Sequence, residues 1–378
     1  MSESSPLDSF PDLKIANIHE QYAHTKSNED FTSLMSEIKK NNMLPYYKSL
    51  AAEYGWTLDN DFVNAATAAN QAEQSKLEVA LNDATENQSE EDVRVAYQNL
   101  ALFFIRIGDF ENSKKRLADL LAHTVALGQK IDVVFCQMRV AFFFKDFSTF
   151  NDLNDQAQAF IKDGGDWERK NRLKVYEGLS LCARRNFIAA SQLFISTIST
   201  YTATELLTYD EFIYRTVVLA TLALSRADFG AKIDKALEVR AADEQTHRLL
   251  SLYHLDYRDF FDALAEVENT LTCDIWFSQH ISYLIKELRV RAYSQFLEPY
   301  QALQISAMAS AFGVTEQFIE DEIRRFIFSR KLNAKIDRVS GTIHTNPPDS
   351  RAAKMREALK RGEVLTARLQ KLLRLLSA

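Results

Sequence analysis

Residues 303–344 read LQISAMASAFGVTEQFIEDEIRRFIFSRKLNAKIDRVSGTIH. Leu303–Phe312 is a short apolar run with the character of a helix, and Gly313 stands where a helix ends in the left-handed conformation. Thr315 is placed to cap a second helix, from Glu316 to Ser329. Leu332, Ala334 and Ile336 then alternate with Asn333 and Lys335, the period of a strand. A turn at Val339-Ser340-Gly341 leads to a second short strand at Thr342–His344. Helix, turn, helix, hairpin is a winged helix. Beyond it Asn346-Pro347-Pro348-Asp349 breaks the chain, and one long helix runs to the C-terminus.

Upstream the chain reads as helix almost throughout. Val93, Tyr97, Leu100 and Phe104 share one helical face, as do Val134, Met138 and Ala141, and Leu173, Tyr176, Leu179 and Ala183. Asp or Asn followed by Phe recurs at Asp109-Phe110, Asp146-Phe147, Asn186-Phe187, Asp228-Phe229 and Asp259-Phe260, with Phe-to-Phe spacings of 37, 40, 42 and 31. Asp and Asn are strong N-caps, so each pair is expected to open the second helix of a helical hairpin. Repeats of this period are tetratricopeptide-like, and the fold class is all-α: a helical-repeat (TPR-like) α-solenoid, then a winged helix with a small β-hairpin, then a long C-terminal helix. The expected boundaries are 1–92 for an N-terminal helical extension, 93–300 for the repeats, 301–346 for the winged helix and 349–378 for the last helix. Within the extension, residues 1–30 are loose at first and helical later. Residues 60–92 form a long helix ending near Asn87–Ser89.

The composition agrees. The 378 residues include only 10 Gly and 6 Pro, too few for the tight turns of a many-stranded β architecture. The net charge of −7 argues against general binding to nucleic acid or anionic membrane. Cys136, Cys182 and Cys273 are odd in number and far apart, which fits neither a disulfide framework nor a zinc site. They read as reduced core thiols of a cytosolic or nuclear protein. The polar, acidic N-terminus is no secretory signal, and apolar stretches such as Thr216–Leu224 are too short for a membrane span.

No catalytic motif is present. G-x-x-x-x-G-K-[ST], G-x-G-x-x-G and G-x-S-x-G are missing. His19 and His24 are five residues apart, which places their rings on different helical faces, so the resemblance of this segment to H-E-x-x-H is superficial. Asp163-Gly164-Gly165-Asp166 lacks the alternating ligands of a calcium loop and reads as a turn, with Asp166 capping a helix from Trp167. The expectation is no catalytic residue, no cofactor and no metal. DNA binding through the winged helix is disfavoured too. The stretch that would enter the groove carries Glu316, Glu320, Asp321 and Glu322, and its bases, Arg324, Arg325 and Arg330, come late.

A helical-repeat array, a winged helix and a terminal helix together resemble the PCI-domain family, whose members occur in the proteasome lid, the COP9 signalosome and translation initiation factor three. The runs that carry the resemblance are Asn41-Asn42-Met43 with Pro45-Tyr46-Tyr47, Gly164-Gly165-Asp166-Trp167 with Asn171-Arg172-Leu173-Lys174-Val175-Tyr176, Ala292-Tyr293-Ser294-Gln295, Ala311-Phe312-Gly313-Val314, Lys335-Ile336-Asp337, and Thr345-Asn346 with Pro348-Asp349-Ser350. They look most like a subunit of the 26S proteasome lid over residues 12–378, with the PCI module starting near residue 185. Pro347 departs from the pattern, where a charged residue is expected, and residues 112–160 match only in pattern.

The resemblance implies a non-catalytic scaffold in a hetero-oligomer, cytoplasmic and nuclear. Its partners would be other PCI and MPN subunits of the lid, the ATPase ring and the core particle, with no nucleic acid and no membrane. A signalosome subunit is the alternative. Wing strands would pair side by side and C-terminal helices would join a bundle. The expected interface is Leu332, Ala334, Ile336 and Ile343 in the wing, and Met355, Leu359, Leu365, Leu369, Leu372 and Leu376 on the last helix. That helix is basic, with eight Lys or Arg against two Glu in residues 351–378. Its leucine stripe could also lie on a membrane or fold back on its own domain. The lack of Trp or Phe on the stripe disfavours the first, and the Pro347-Pro348 break disfavours the second.

Overall fold

The computed structural model describes residues 6–87, 89–345 and 350–376. The chain divides into two compact units, Met1–Leu255 with Asp262–Ile285, and Asp256–Phe261 with Lys286–Ala378.

The first unit is a helical array: α1 (Leu13–Thr25), α2 (Asn28–Lys40), α3 (Leu44–Tyr54), α4 (Asn60–Asn87), α5 (Glu90–Ile107), α6 (Phe110–Ala122), α7 (Leu127–Phe143), α8 (Phe147–Lys162), α9 (Trp167–Ala183), α10 (Phe187–Thr197) and α11 (Tyr209–Ala223). Sequential hairpins α5/α6, α7/α8 and α9/α10 pack helix on helix. The stripes seen in the sequence form their core: Leu100, Val134, Met138, Tyr176 and Leu179 are all fully buried. The caps act as expected at three hairpins. The side chains of Asp109, Asp146 and Asn186 accept from the backbone N–H three residues on. At the other two Asp-Phe pairs a different residue holds the cap position. Ser225 caps the short helix Arg226–Phe229, and Asp228 lies inside it. Asp256 accepts from the Asp259 N–H, so Asp259 lies in the first turn of α12 (Tyr257–Thr272). An acidic residue is favourable in a first turn as well as at the cap, so the dipeptide alone does not separate the two positions. Asp166 precedes α9 without a side-chain cap bond and instead accepts from Arg169 at 2.6 Å.

The start of the described chain is docked rather than loose. Pro6–Ser9 forms one 3-10 turn with Leu7 buried, in a cluster with Ile105, Leu117, Leu120 and Val140. Arg139, fully buried, donates to the Leu7 carbonyl at 2.5 Å and to Asp8 at 3.3 Å. Arg172 donates to Asp8 at 3.0 Å and to Glu205 at 2.8 Å. The Tyr176 hydroxyl also donates to Glu205, at 3.0 Å. Buried charges persist only when paired and hydrogen-bonded, and Asp8 supplies part of that pairing.

In the second unit, α13 (Ile281–Leu297) continues past residue 286. There follow β1 (Ala302–Gln304), α14 (Ile305–Phe312), α15 (Glu316–Phe328), β2 (Ala334–Asp337), β3 (Thr342–Thr345) and α16 (Ser350–Leu376). Gly313 ends α14 at φ 69°, and the Thr315 hydroxyl accepts from the Phe318 N–H. The winged helix is therefore present, with one correction. The run from Leu303 to Phe312 is not one helix: its first residues form a strand, and the helix begins at Ile305. The sheet is three-stranded, in the order β1-β3-β2. Tyr257, Phe261, Tyr293, Phe296, Phe312 and Phe326 pack ring against ring in this unit's core, with centroids 4.8–6.1 Å apart.

Candidate functional site

The wing sheet is antiparallel throughout. Leu303 on β1 and Ile336 on β2 both stand opposite Ile343 on β3. β3 is central, so β1 and β2 each carry an outer edge. Pairing beyond β1 continues on its β3 side, where the Thr345 N–H reaches the Gln301 carbonyl at 3.0 Å. Leu332, Ala334 and Ile343 are buried and Ile336 is half-buried. A three-stranded sheet this small must spend its apolar face on its own helices. What β2 presents outward is therefore backbone edge with exposed Lys335 and Asp337, not those apolar side chains.

Apolar side chains that do reach the surface here lie elsewhere. Phe328 is 91% exposed and Val339 99%. Phe328 falls on the side of α15 opposite Ile319, Ile323 and Phe326. Helical phasing separates it from that stripe in the sequence, but the expected interface did not include it. β1 was missed for a different reason: three residues carry no readable alternation.

The acidic second helix is tied inward and sideways. Glu322, only 8% exposed, accepts from the Tyr293 hydroxyl at 2.5 Å and from Arg289 at 2.9 Å. Burial and the Glu322 charge push the Tyr293 phenol well above its ordinary range. Glu320 takes Arg338 at 2.8 Å, and Asp321 takes Arg324 at 2.8 Å. A carboxylate-lined helix of this kind is poorly suited to a phosphate groove.

The last helix exposes its apolar stripe. Met355 is 66% exposed, Leu359 60%, Leu365 58%, Leu369 60% and Leu372 55%; the side chain of Leu376, and the Asn346–Asp349 break, lie outside the described residues. Leu373, on the same side of the helix, is exposed too, as are Val364 and Leu375 on the other side. This 27-residue helix keeps its leucines in water and draws on helix propensity and side-chain pairs such as Arg361–Glu357.

The residues behind the family resemblance do structural work. Tyr46, Tyr47, Leu173, Val175 and Tyr176 are buried. A Cβ on Gly165 would stand 2.8 Å from the Ile161 backbone. His19 pairs its Nε2 with the Tyr54 hydroxyl at 3.0 Å. Among the described residues no group of three His, Cys, Asp or Glu is arranged to hold a metal, and no helix is long and apolar enough to cross a membrane.

Residues 59–232 match the family model of 26S proteasome subunit RPN7, and residues 264–347 match that of the PCI domain. The chain is 40% identical over 349 residues to the 26S proteasome non-ATPase regulatory subunit 6 homolog of Arabidopsis thaliana, covering 91% of this chain and 90% of that protein. It is 34% identical over 383 residues to the 26S proteasome non-ATPase regulatory subunit 6 of Dictyostelium discoideum, across the full length of both. Its similarity to COP9 signalosome complex subunit 1 of Schizosaccharomyces pombe is lower, 22% over 323 residues, covering 83% of this chain and 76% of that protein.

Proposed function

The chain belongs to the family of 26S proteasome non-ATPase regulatory subunit 6, also named Rpn7, and from that premise we propose that it works as a scaffold of the proteasome regulatory-particle lid, without catalysis of its own. The observation that carries this reading is the last helix. It holds a stripe of Met355, Leu359, Leu365, Leu369 and Leu372 in water, and such a seam asks for partner helices. The two outer strands of the wing add backbone edges on which a neighbouring subunit can pair.

In this reading the partners are other PCI and MPN subunits of the lid, with the ATPase ring and core particle beyond them, in the cytoplasm and nucleus. The scaffold supports ubiquitin-dependent degradation by holding the lid together. A tagged full-length chain, recovered from its own cells at near-physiological ionic strength, tests this. Stoichiometric lid subunits in the eluate support it. Recovery of a cullin-directed deneddylase without proteasome subunits would transfer the chain to the signalosome. The pure chain alone is expected to neither cleave ubiquitin chains nor hydrolyse ATP, and turnover that tracks with it would overturn the scaffold reading.

A further inference from the structure

Seven residues fall only about 20° short of two turns of an α-helix, so residues seven apart on α16 stand in one column. Met355, Gly362 and Leu369 form one column, and Ala358, Leu365 and Leu372 form the next. These two columns are the seam. Leu359, Thr366 and Leu373 run along one flank of it. Lys354, Arg361 and Arg368 run along the other, all exposed. Three successive heptads thus repeat a cation at the same flank, about 10.5 Å apart along the axis.

The two carboxylates of this helix do not cancel that column. Glu357 and Glu363 lie in columns farther round the helix, on neither flank of the seam. Glu357 does accept from Arg361, at 2.5 Å, but both side chains are more than half exposed. An exposed pair four residues apart contributes only about 0.3–0.5 kcal/mol, so it does not withhold Arg361 from a partner. Charges that flank a helical seam set which helix pairs with it.

Gly362 also points to a partner. Glycine is a poor helix former, yet it stands in the middle of α16, and a Cβ there would meet nothing within 4 Å. The packing of this chain does not call for glycine at that place. On a seam, bare backbone admits the close approach of a facing helix.

We propose that α16 pairs with an amphipathic helix of another polypeptide, one that carries glutamate or aspartate at seven-residue spacing opposite Lys354, Arg361 and Arg368. The inference rests on the reading of α16 as an assembly helix and adds the chemistry of its partner. A second copy of α16 does not supply that chemistry, because the flanks of its seam hold only the same cations, or Leu359, Thr366 and Leu373. An anionic bilayer would draw on all the cations of the helix alike, whatever their column.

The test uses the purified full chain and two labelled helical peptides, each of four heptads with the same isoleucine and leucine seam. One repeats Glu-Ile-Ala-Ala-Leu-Glu-Lys and the other Lys-Ile-Ala-Ala-Leu-Lys-Glu, and binding is read by anisotropy at near-physiological ionic strength. The acidic peptide is expected to bind at least about tenfold more tightly than the basic one. Arg361→Glu with Arg368→Glu, on the flank of the seam, should erase that preference. Lys360→Glu with Lys371→Glu changes the net charge equally but on the outer face, and should keep it. All four side chains are exposed, so both variants should retain the fold, as circular dichroism will report. Phosphatidylcholine vesicles containing phosphatidylserine should not sediment the chain. Failure of the acidic peptide to bind, equal binding of both peptides, a preference that survives in the flank variant or is lost in the outer one, or sedimentation with the vesicles would overturn the proposal. None of these readouts involves the proteasome, so they stand apart from recovery of lid subunits, which tests the scaffold reading.

Discussion

The Glu322 carboxylate accepts a hydrogen bond from the Tyr293 hydroxyl at 2.5 Å, with both groups buried in the second unit. This bond joins α13 to the helix a DNA-binding winged helix would present to the groove. Tyr293→Phe removes the donor and leaves the carboxylate with Arg289 alone. A hydrogen bond to a charged group contributes about 1.5–3 kcal/mol, and a loss in that range is expected in urea unfolding followed by a probe in the second unit. An unchanged midpoint would show that the bond contributes nothing.

The hairpin caps give a contrast within one chain. Asp109→Ala and Asp146→Ala each remove a side-chain acceptor from a helix start, a change that costs about 0.5–2 kcal/mol. Asp228→Ala leaves Ser225 capping its helix and is expected to cost only a few tenths, the scale of a first-turn charge. Thermal midpoints of the three variants check the order. Equal losses would mean that Asp228 acts as a cap after all.

Stability is expected to fall on the acid side. Burial first, then the Lys145 charge, lowers the His19 pKa below its usual 6.5. The unfolded chain therefore takes up that proton sooner, and stability is lost as pH drops below 6.5 toward the depressed folded value. Burial alone would raise the Glu20 carboxyl, but hydrogen bonds from Lys145 and Ser278 outweigh it and hold the group below 4.5. Its contribution is complete above 4.5 and is lost as pH falls through the lowered folded value. Thermal midpoints at pH 7.5, 6.0 and 5.0 should decline, and His19→Gln should flatten that part of the slope. A flat wild-type profile would contradict the sign.

Gly178 shows two effects in competition. Alanine is favoured over glycine inside a helix by about 1 kcal/mol. At this site, however, a Cβ would stand 2.2 Å from Phe194 Cε1, and Phe194 is fully buried. Overpacking costs about 1–3 kcal/mol, so Gly178→Ala is expected to be neutral to destabilising by about 2 kcal/mol. A more stable variant would mean that α9 and α10 can part without cost.

How much of this was legible depends on the distance between partners in the chain. Gly313, Thr315 and the Ala334–Ile336 alternation are local signals, and each marks the element it suggests. β1 is three residues long and pairs with a strand about forty residues on, so no local pattern reveals it. Asp8 meets Arg139 from 131 positions away, and a polar, acidic N-terminus gives no sign of that docking. The stripe on α16 was visible as a period. The burial of Leu332, Ala334 and Ile343 within their own wing was not, because alternation shows that one face is apolar without showing what covers it.

The assembly role of α16 tests the central claim most directly. Tagged full-length chain and a chain ending at Arg361 are expressed at matched levels, and recovery of lid subunits is quantified for each. The truncation removes Leu365, Leu369 and Leu372, which are exposed, so its fold should be retained, as circular dichroism and the thermal midpoint will report. The expected result is full recovery of lid subunits with the intact chain and near-complete loss with the truncated one. Equal recovery by a folded, truncated chain would contradict the account.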